Sequence, residues 1–328
     1  MIGKMALPVF ISYDTVESGK SGGANSFVLG LKQVLGQSRD VVLVNKIASA
    51  KVVLIISAGY GDSKRLKPYM VRNTISGRTR WHPFGYFHAK KDKIIVQRLD
   101  GLGRLYGRND DLDDRQININ RYADITVFQT GYCKDVFRQA GINPERNVII
   151  GNGANPVWFK PAPAHILDAT IKIIGCSWSN NPNKGFEDLV DWAKLRHVEV
   201  SFVGRWPERI HSGKVRLLGV MHQKDFAQVL KQNDLLLYPS KNDACPNVVY
   251  EALASGLPVV YHPSGGTPEI CRNTMFGEPM SDTPQKTLEK ILDRYHEIRE
   301  RVSDHYSEFL ITYAAKKYEK IFLEAARL

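Results

Sequence analysis

The amino-acid sequence predicts an α/β protein of two Rossmann-like domains facing each other across a cleft. Two patterns point there. Short apolar runs of strand length alternate with stretches of helical spacing along almost the whole chain, which is the mark of βα units and parallel sheets. A Pro-marked stretch, from Asn155 to Pro163, interrupts that alternation near the middle, and the alternation then restarts. A chain of 328 residues suits two domains of ordinary size. They are placed at 1–158 and 159–307. A C-terminal helix over about 308–328 is expected to pack back on the first domain.

In the first half, strands are expected at Leu7–Ser12, Val41–Asn45, Val52–Ser57, Lys93–Arg98, Ile125–Gln129 and Val148–Ile150. A helix starts near Gly23, because Phe27, Leu31 and Leu35 recur at helical spacing. Another follows Gly131. Residues 60–92 hold Gly, Pro, His and aromatics without a period, and read as an insertion or a long functional loop. In the second half, strands are expected at Ile171–Gly175, Glu199–Val203, Val215–Leu218, Asp234–Tyr238 and Pro258–Tyr261. Helices are expected at Gly185–Leu195, Gln223–Gln232 and Asn247–Ser255, and the last forty residues read as helix.

Composition narrows the class. Hydrophobic residues make up 43% and charged residues 24%, so each half can bury a core. No segment reaches the ~20 apolar residues that cross a bilayer. The apolar opening runs at once into Ser12-Tyr13-Asp14 and reads as a strand, not a leader. Cys133, Cys176, Cys245 and Cys271 lie too far apart for a metal knuckle or a redox pair. They fit a reducing, cytoplasmic location. The net charge of +11 is uneven: between Asp62 and Arg108, twelve Lys or Arg face three Asp. Such a stretch is either a solvated face or an attraction for anionic lipid, an anionic acceptor or nucleic acid. It carries no nucleic-acid motif, so peripheral contact with an anionic membrane is the expectation and nucleic acid is not.

The segment from Tyr238 to Ile270 carries the chemistry. A buried strand ends at Tyr238, a loop holds Asp243, Pro246 suits the start of a helix, and Gly256 suits its end. A second strand, Pro258–Tyr261, leads into the turn Gly265-Gly266. A helix start beyond a strand's carboxyl end offers free N–H groups and a positive dipole end, a ready seat for a diphosphate. The amides near Asn247 and Val248 are the candidates. Glu251, about one turn in, is placed to accept from both hydroxyls of a ribose, and Asp243 to meet the hydroxyls of a donor sugar. This array resembles the family 4 glycosyltransferases of the GT-B fold. The resemblance rests on Asp243-x7-Glu251, on Ala252-Leu-Ala254-Ser-Gly256-Leu-Pro258-Val259, and on Gly265-Gly266-Thr-Pro268-Glu269. Asp243 departs from the usual Glu by one methylene.

Other motifs fit around it. Lys184-Gly185 opens a helix after a strand, and Lys184 can pair with a diphosphate as a point charge. The family usually has a basic residue about six positions earlier. Here that region is Cys176-Ser177-Trp178, and Arg205 is the candidate for the missing charge. The glycines Gly22 and Gly23 follow the first strand and resemble the family's Gly-Gly loop, which touches donor phosphate or acceptor. The Asn152-Gly153-Ala154-Asn155 stretch resembles a hinge-side turn. At the end of the strand through Arg98, Asp100 is the candidate contact to the donor sugar. Two tempting signals fail. Gly101-Leu-Gly103 lacks the third glycine of a dinucleotide fingerprint at the right position. His82 and His88 lack an accompanying carboxylate or Cys, and no metal site is expected.

The resemblance implies a retaining, metal-independent glycosyltransferase without a cofactor. Its donor would be a UDP-sugar or GDP-sugar, and its acceptor a glycan or lipid-linked glycan. Asp243, Glu251, Lys184 and Asp100 are the expected catalytic set. Gly22, Gly23, Lys184, Arg205, Asn247, Val248 and Glu251 are expected to bind the donor. A non-catalytic nucleotide-sugar or glycan binder and a transferase acting on nucleic acid are the alternatives.

Overall fold

The computed structural model describes residues 5–15, 23–58, 69–72, 79–82, 93–107, 111–161 and 166–327. For 69–72, 79–82 and 106 it describes the backbone alone. The chain divides into two compact units. The first comprises 1–16, 28–151 and 315–328, the second 17–27 and 152–314.

In chain order, β1 is Leu7–Ser12, α1 Gly23–Leu35, β2 Val41–Leu43, β3 Val52–Ile56, β4 Tyr69–Arg72, β5 Thr79–His82, β6 Ile94–Arg98, α2 Leu112–Asn120, β7 Ile125–Phe128, α3 Gly131–Gln139 and β8 Asn147–Ile149. These supply the first unit with a six-stranded sheet in the order β2-β1-β3-β6-β7-β8. Every pairing in it is parallel. The five residues of β3 are buried throughout. A strand covered on both faces reads as an unbroken apolar run, as it does here.

The stretch 60–92, read from sequence as an insertion or loop, contains the antiparallel pair β4 and β5, with Tyr69 opposite His82 and Arg72 opposite Thr79. The helix α2 has no counterpart in the sequence reading. Its buried face is Leu112, Asp113, Gln116, Ile119 and Asn120, so polar residues occupy three of the five positions that hydrophobic periodicity would use. Most of their polar atoms are paired internally: Gln116 Oε1 accepts from the Asp100 amide, while its Nε2 is buried without a partner among the described residues. Gln97 Nε2 donates to the carbonyls of Ser57 and Gln116, Asn120 Nδ2 donates to Gln97 Oε1 and Thr126 Oγ1, and Asp113 accepts from the amides of Gly103 and Arg104.

The second unit follows with β9 Ile171–Ser177, α4 Phe186–Trp192, β10 Val198–Gly204, β11 Arg216–Gly219, α5 Gln223–Leu230, β12 Leu235–Tyr238, α6 Asn247–Ala254, β13 Val259–Tyr261, α7 Thr267–Ile270, β14 Gly277–Pro279, α8 Pro284–Asp293 and α9 Tyr295–Asp304. The helix α10, Ile311–Ala325, closes the chain, and its residues from 315 onward belong to the first unit. The second sheet runs β11-β10-β9-β12-β13-β14, again wholly parallel. Its core is one cluster that includes Trp192, Phe202, Leu236, Val249, Leu253 and Val260. Fully burying each such aliphatic side chain contributes about 1.5–3 kcal/mol.

The last forty residues are not one helix. The pattern breaks at Arg294 and again over 305–310. At the second break the backbone leaves the helical path and pairs with Ala154. The Ala154 amide donates to the Phe309 carbonyl at 2.8 Å, and the Ile311 amide donates to the Ala154 carbonyl at 2.9 Å. A helix running through Phe309 and Leu310 would consume those groups internally. Among the described residues no helix is long and apolar enough to cross a membrane.

Candidate active site

Within the second sheet the connections reverse direction between β9 and β12, since β10 and β11 lie to one side of β9 and the later strands to the other. A crevice opens at the carboxyl ends of strands flanking such a reversal, and ligands of doubly wound sheets bind there. The sequence-predicted residues Lys184, Asp243, Asn247 and Val248 all follow the carboxyl ends of these two strands.

Lys184 ends a short 3₁₀ turn after β9. Its Nζ lies 2.7 Å from Asp243 Oδ2 and 3.4 Å from the Tyr238 hydroxyl. The Tyr238 hydroxyl in turn donates to Asp243 Oδ2 at 2.6 Å, and the Cys245 amide donates to Oδ1 at 3.3 Å. The turn and the loop are also joined through their backbones, because the Lys241 amide donates to the Asn183 carbonyl at 2.7 Å. Burial by itself would raise the Asp243 carboxyl. The Lys184 charge, with the hydrogen bonds from Lys184, Tyr238 and Cys245, outweighs burial and holds the group below the ordinary carboxylate range.

The third part of the sequence motif supports this loop. The Gly266 amide donates to the Asp243 carbonyl at 2.8 Å, and the Asn242 amide donates to Ser264 Oγ at 3.0 Å. Gly265 has φ +82°, and a Cβ there would lie 2.5 Å from the Asp243 carbonyl oxygen. The Gly-Gly turn is therefore the floor on which the Asp243 loop rests. That is a physical reason for the two motifs to travel together.

Pro246 precedes α6 and provides no side-chain cap, so the amides of Asn247 and Val248 keep their donors for a ligand, while that of Val249 donates to the Pro246 carbonyl. Glu251 is the fifth residue of α6 and is 9% exposed. Gln223 Nε2, at the start of α5, donates to its Oε1 at 3.0 Å. Burial pushes the Glu251 carboxyl up to about 7, against the lowering effect of Gln223. The Cys176 thiol near the end of β9 connects the two halves of the site. Burial raises its pKa first, the Glu251 charge adds to that, and the Lys184 charge opposes it, so the sulfur lies within electrostatic range of both.

Asn247, the first residue of α6, donates from Nδ2 to the Gly23 carbonyl at 2.8 Å, and Val248 packs partly buried against the core. Gly23 counts with the second unit, while Gly22 lies outside the described residues, as do His88 and much of the basic stretch 62–108. Arg205 is exposed, with its guanidinium carbon 5.0 Å from the centre of the Trp178 ring. Asp100 belongs to the first unit. Its Oδ1 pairs with Arg98 Nη1 at 2.5 Å and accepts from Gln129 Nε2 at 3.1 Å. Arg98 is 1% exposed, and the carboxylate is its counter-ion.

Four residues at these sites were not among the sequence candidates. Tyr238 and Gln223 carry no signal beyond their place at a strand end and a helix start. Trp178 stands six positions before Lys184, where the family usually has a basic residue. Asn152, read only as part of a turn, donates from Nδ2 to the Cys245 carbonyl at 2.8 Å and fixes the head of α6. Among the described residues, no three His, Cys, Asp or Glu side chains gather as a metal cluster.

The chain is similar to several known proteins. Residues 171–297 match the family described as Glycosyl transferases group 1. The phosphatidylinositol N-acetylglucosaminyltransferase gpi3 subunit of Schizosaccharomyces pombe is 25% identical over 205 residues, covering 56% of this chain and 45% of that protein. A phosphatidylinositol N-acetylglucosaminyltransferase polypeptide of Homo sapiens is 29% identical over 184 residues, covering 51% of this chain and 38% of that protein. The chain thus spans less than half the length of these curated relatives. The crystal structure of Anabaena HepE in complex with UDP-glucose superposes with a TM-score of 0.68 at 16% identity, over 97% of this chain and 100% of that one. That likeness establishes the fold. Residues 171–297 are thus similar to the group 1 glycosyltransferases, and the chain is built on the GT-B fold.

Proposed function

We propose that this chain transfers a sugar from a nucleoside diphosphate sugar to a glycan or glycolipid acceptor, with retention of anomeric configuration. The observation that carries the reading is the placement of Glu251. It is a buried carboxylate one turn inside a helix whose uncapped start opens at the sheet reversal, beside the Lys184–Asp243 pair. A buried carboxylate with one hydrogen bond from Gln223 has acceptor capacity left over, and a ribose diol supplies two donors. The amides of Asn247 and Val248 and the Lys184 ammonium take the diphosphate, stabilising it as it departs. Asp243 takes hydroxyls of the sugar. In the transfer step the acceptor oxygen bonds to the anomeric carbon, the bond from that carbon to the phosphate oxygen breaks, and the acceptor proton passes to the leaving phosphate on the same face.

A lipid-linked acceptor is supported by two of the relatives, which are named for phosphatidylinositol, and by the basic composition of 62–108. Differential scanning fluorimetry with UDP and GDP tests the donor assignment, since a ligand of the native state raises the melting temperature. Donor hydrolysis and transfer are then compared in wild type, Glu251→Ala and Lys184→Ala. Full activity in both variants would remove this mechanism. The anomeric configuration of the product, read by NMR, decides retention.

A further inference from the structure

Lys184 arrives at the site with its own counter-ion. It pairs at 2.7 Å with Asp243, and both side chains are largely buried, at 16% and 17% exposure. The pair supplies hydrogen bonds but brings no net charge. A pyrophosphate diester is doubly charged, and the start of α6 offers about half an elementary charge. Something else must balance the leaving group.

The end of β10 supplies it. Gly204 pairs with Ser177 at the last rung of the β9–β10 ladder. It adopts φ +121°, and a Cβ there would lie 1.9 Å from the Ser177 carbonyl oxygen. Only glycine lets the two strand ends approach this closely. The next amide, of Arg205, donates to that carbonyl at 3.0 Å. Trp206 then turns into the core, 5.1 Å from the ring of Phe186 and 5.0 Å from that of Phe202. Phe186 is two residues beyond Lys184. The backbone at 205–206 is therefore knitted both to the turn that carries Trp178 and to the start of the helix that follows Lys184. With Trp206 turned inward, Arg205 projects the other way and lies over the indole of Trp178 at 5.0 Å. Among the described residues it has no carboxylate partner. An exposed cation placed over a ring, without a carboxylate partner among the described residues, near the carboxyl edge of the reversal, is pre-organised for an anion.

We infer that Arg205, positioned by Trp178, is the cation that neutralises the donor diphosphate, so that the site selects nucleoside diphosphates over the monophosphate and the nucleoside. This rests on the donor reading above. Sequence comparison with the family would look for that charge at position 178. Here the indole occupies that place and the charge comes from the neighbouring strand.

Isothermal titration of the full chain with UDP, UMP and uridine, and with the guanine series, tests it. Arg205→Gln is expected to weaken the diphosphate by roughly 10- to 100-fold, in line with the loss of a charge-assisted hydrogen bond, and to leave the nucleoside unchanged. Trp178→Leu is expected to cost roughly two- to five-fold, as the loss of an exposed cation–π contact does, and Trp178→Phe to restore most of it. The salt dependence of diphosphate binding should become shallower in Arg205→Gln. Both positions are at the surface or half-buried, so the variants fold, which circular dichroism checks. If wild type binds a diphosphate and Arg205→Gln binds it equally well, Arg205 has no such role while the donor reading stands. If wild type binds no nucleotide of either series, the donor reading fails and takes this inference with it.

Discussion

Replacing Glu251 by Gln should make the protein more stable and at the same time less able to hold a nucleotide. The carboxyl of Glu251 titrates at about 7 in the folded protein, against an ordinary value of 4.5, because burial penalises its charged form. Between those two pH values the native state holds a proton that the unfolded chain has released. Stability therefore falls as pH rises through this window, and the loss is complete above about pH 8. The difference of the two values corresponds to about 3 kcal/mol. Gln is isosteric, keeps an oxygen to accept from Gln223 Nε2, and cannot ionise. Below about pH 4.5 the variant and wild type should be equally stable. By pH 8 the variant should gain about 3 kcal/mol, which raises the melting temperature by roughly 6–10 °C for a unit of this size. Four of the five tryptophans, Trp158, Trp178, Trp192 and Trp206, lie in the second unit, so urea titrations followed by tryptophan fluorescence report on the right unit. The binding arm uses a nucleotide sugar, whose phosphodiester charges do not titrate here. In wild type, affinity should fall about tenfold between pH 8 and pH 6 as the ribose loses its carboxylate, and in Glu251→Gln the pH dependence should vanish. Stability curves for the two proteins that run parallel from pH 5 to 8.5 would refute the reasoning.

Gly265→Ala places a Cβ 2.5 Å from the Asp243 carbonyl on a backbone at φ +82°. It should cost at least about 2 kcal/mol in calorimetry and abolish donor turnover, and a variant that keeps wild-type turnover would contradict the supporting role of that turn. Asp100→Asn deprives the buried Arg98 of the carboxylate it pairs with, and should destabilise the first unit by about 3 kcal/mol in chemical denaturation. A loss under 1 kcal/mol would mean the pair is not structural. Asp243→Glu, although it restores the usual motif residue, should lower transfer at least about tenfold, because one extra methylene drives the carboxylate off the Cys245 amide and the Tyr238 hydroxyl. Equal or higher transfer would show that the pocket has room for the longer acid.

Both sheets were legible in the sequence wherever burial is apolar. The run Val52–Ile56 and the run Leu235–Tyr238 declare themselves, since nothing but a doubly covered strand needs such uninterrupted hydrophobicity. The helix α2 was invisible for the converse reason: Gln116 and Asn120 face inward, the first accepting from the Asp100 amide and the second donating to Gln97 and Thr126, and a polar interior leaves no hydrophobic period. The split of the C-terminal helix was also illegible, because Phe309 and Leu310 are apolar enough for a helix and the extended backbone of Leu310 is set by a partner at Ala154, far away in sequence. At the site, the motif located Asp243 and Glu251 and could not disclose what holds them. Gln223 lies 28 positions from Glu251, and Tyr238 reads as an ordinary strand residue. Spacing reports which residues share a helix or a loop, and hydrogen-bond partners are chosen by how separate βα units stack.

The pairing of Lys184 with Asp243 changes how those two residues divide the work. From sequence each has its own target, the lysine a phosphate and the aspartate a sugar. In the fold they share one hydrogen-bonded node with Tyr238, reinforced by the Cys245 amide at the head of α6. A ligand arriving at that node does not meet a bare cation. It meets a neutral group whose donors and acceptors are already aimed, which is how a site binds strongly without reorganising during reaction. Neutrality also explains the shorter acid at position 243. A carboxylate one methylene longer would reach the sugar more freely, but it would no longer sit within bonding distance of both the lysine and the tyrosine. The node would then separate into a free cation and a free anion, each strongly desolvated, and the site would carry in its empty state the electrostatic cost that the pairing now removes.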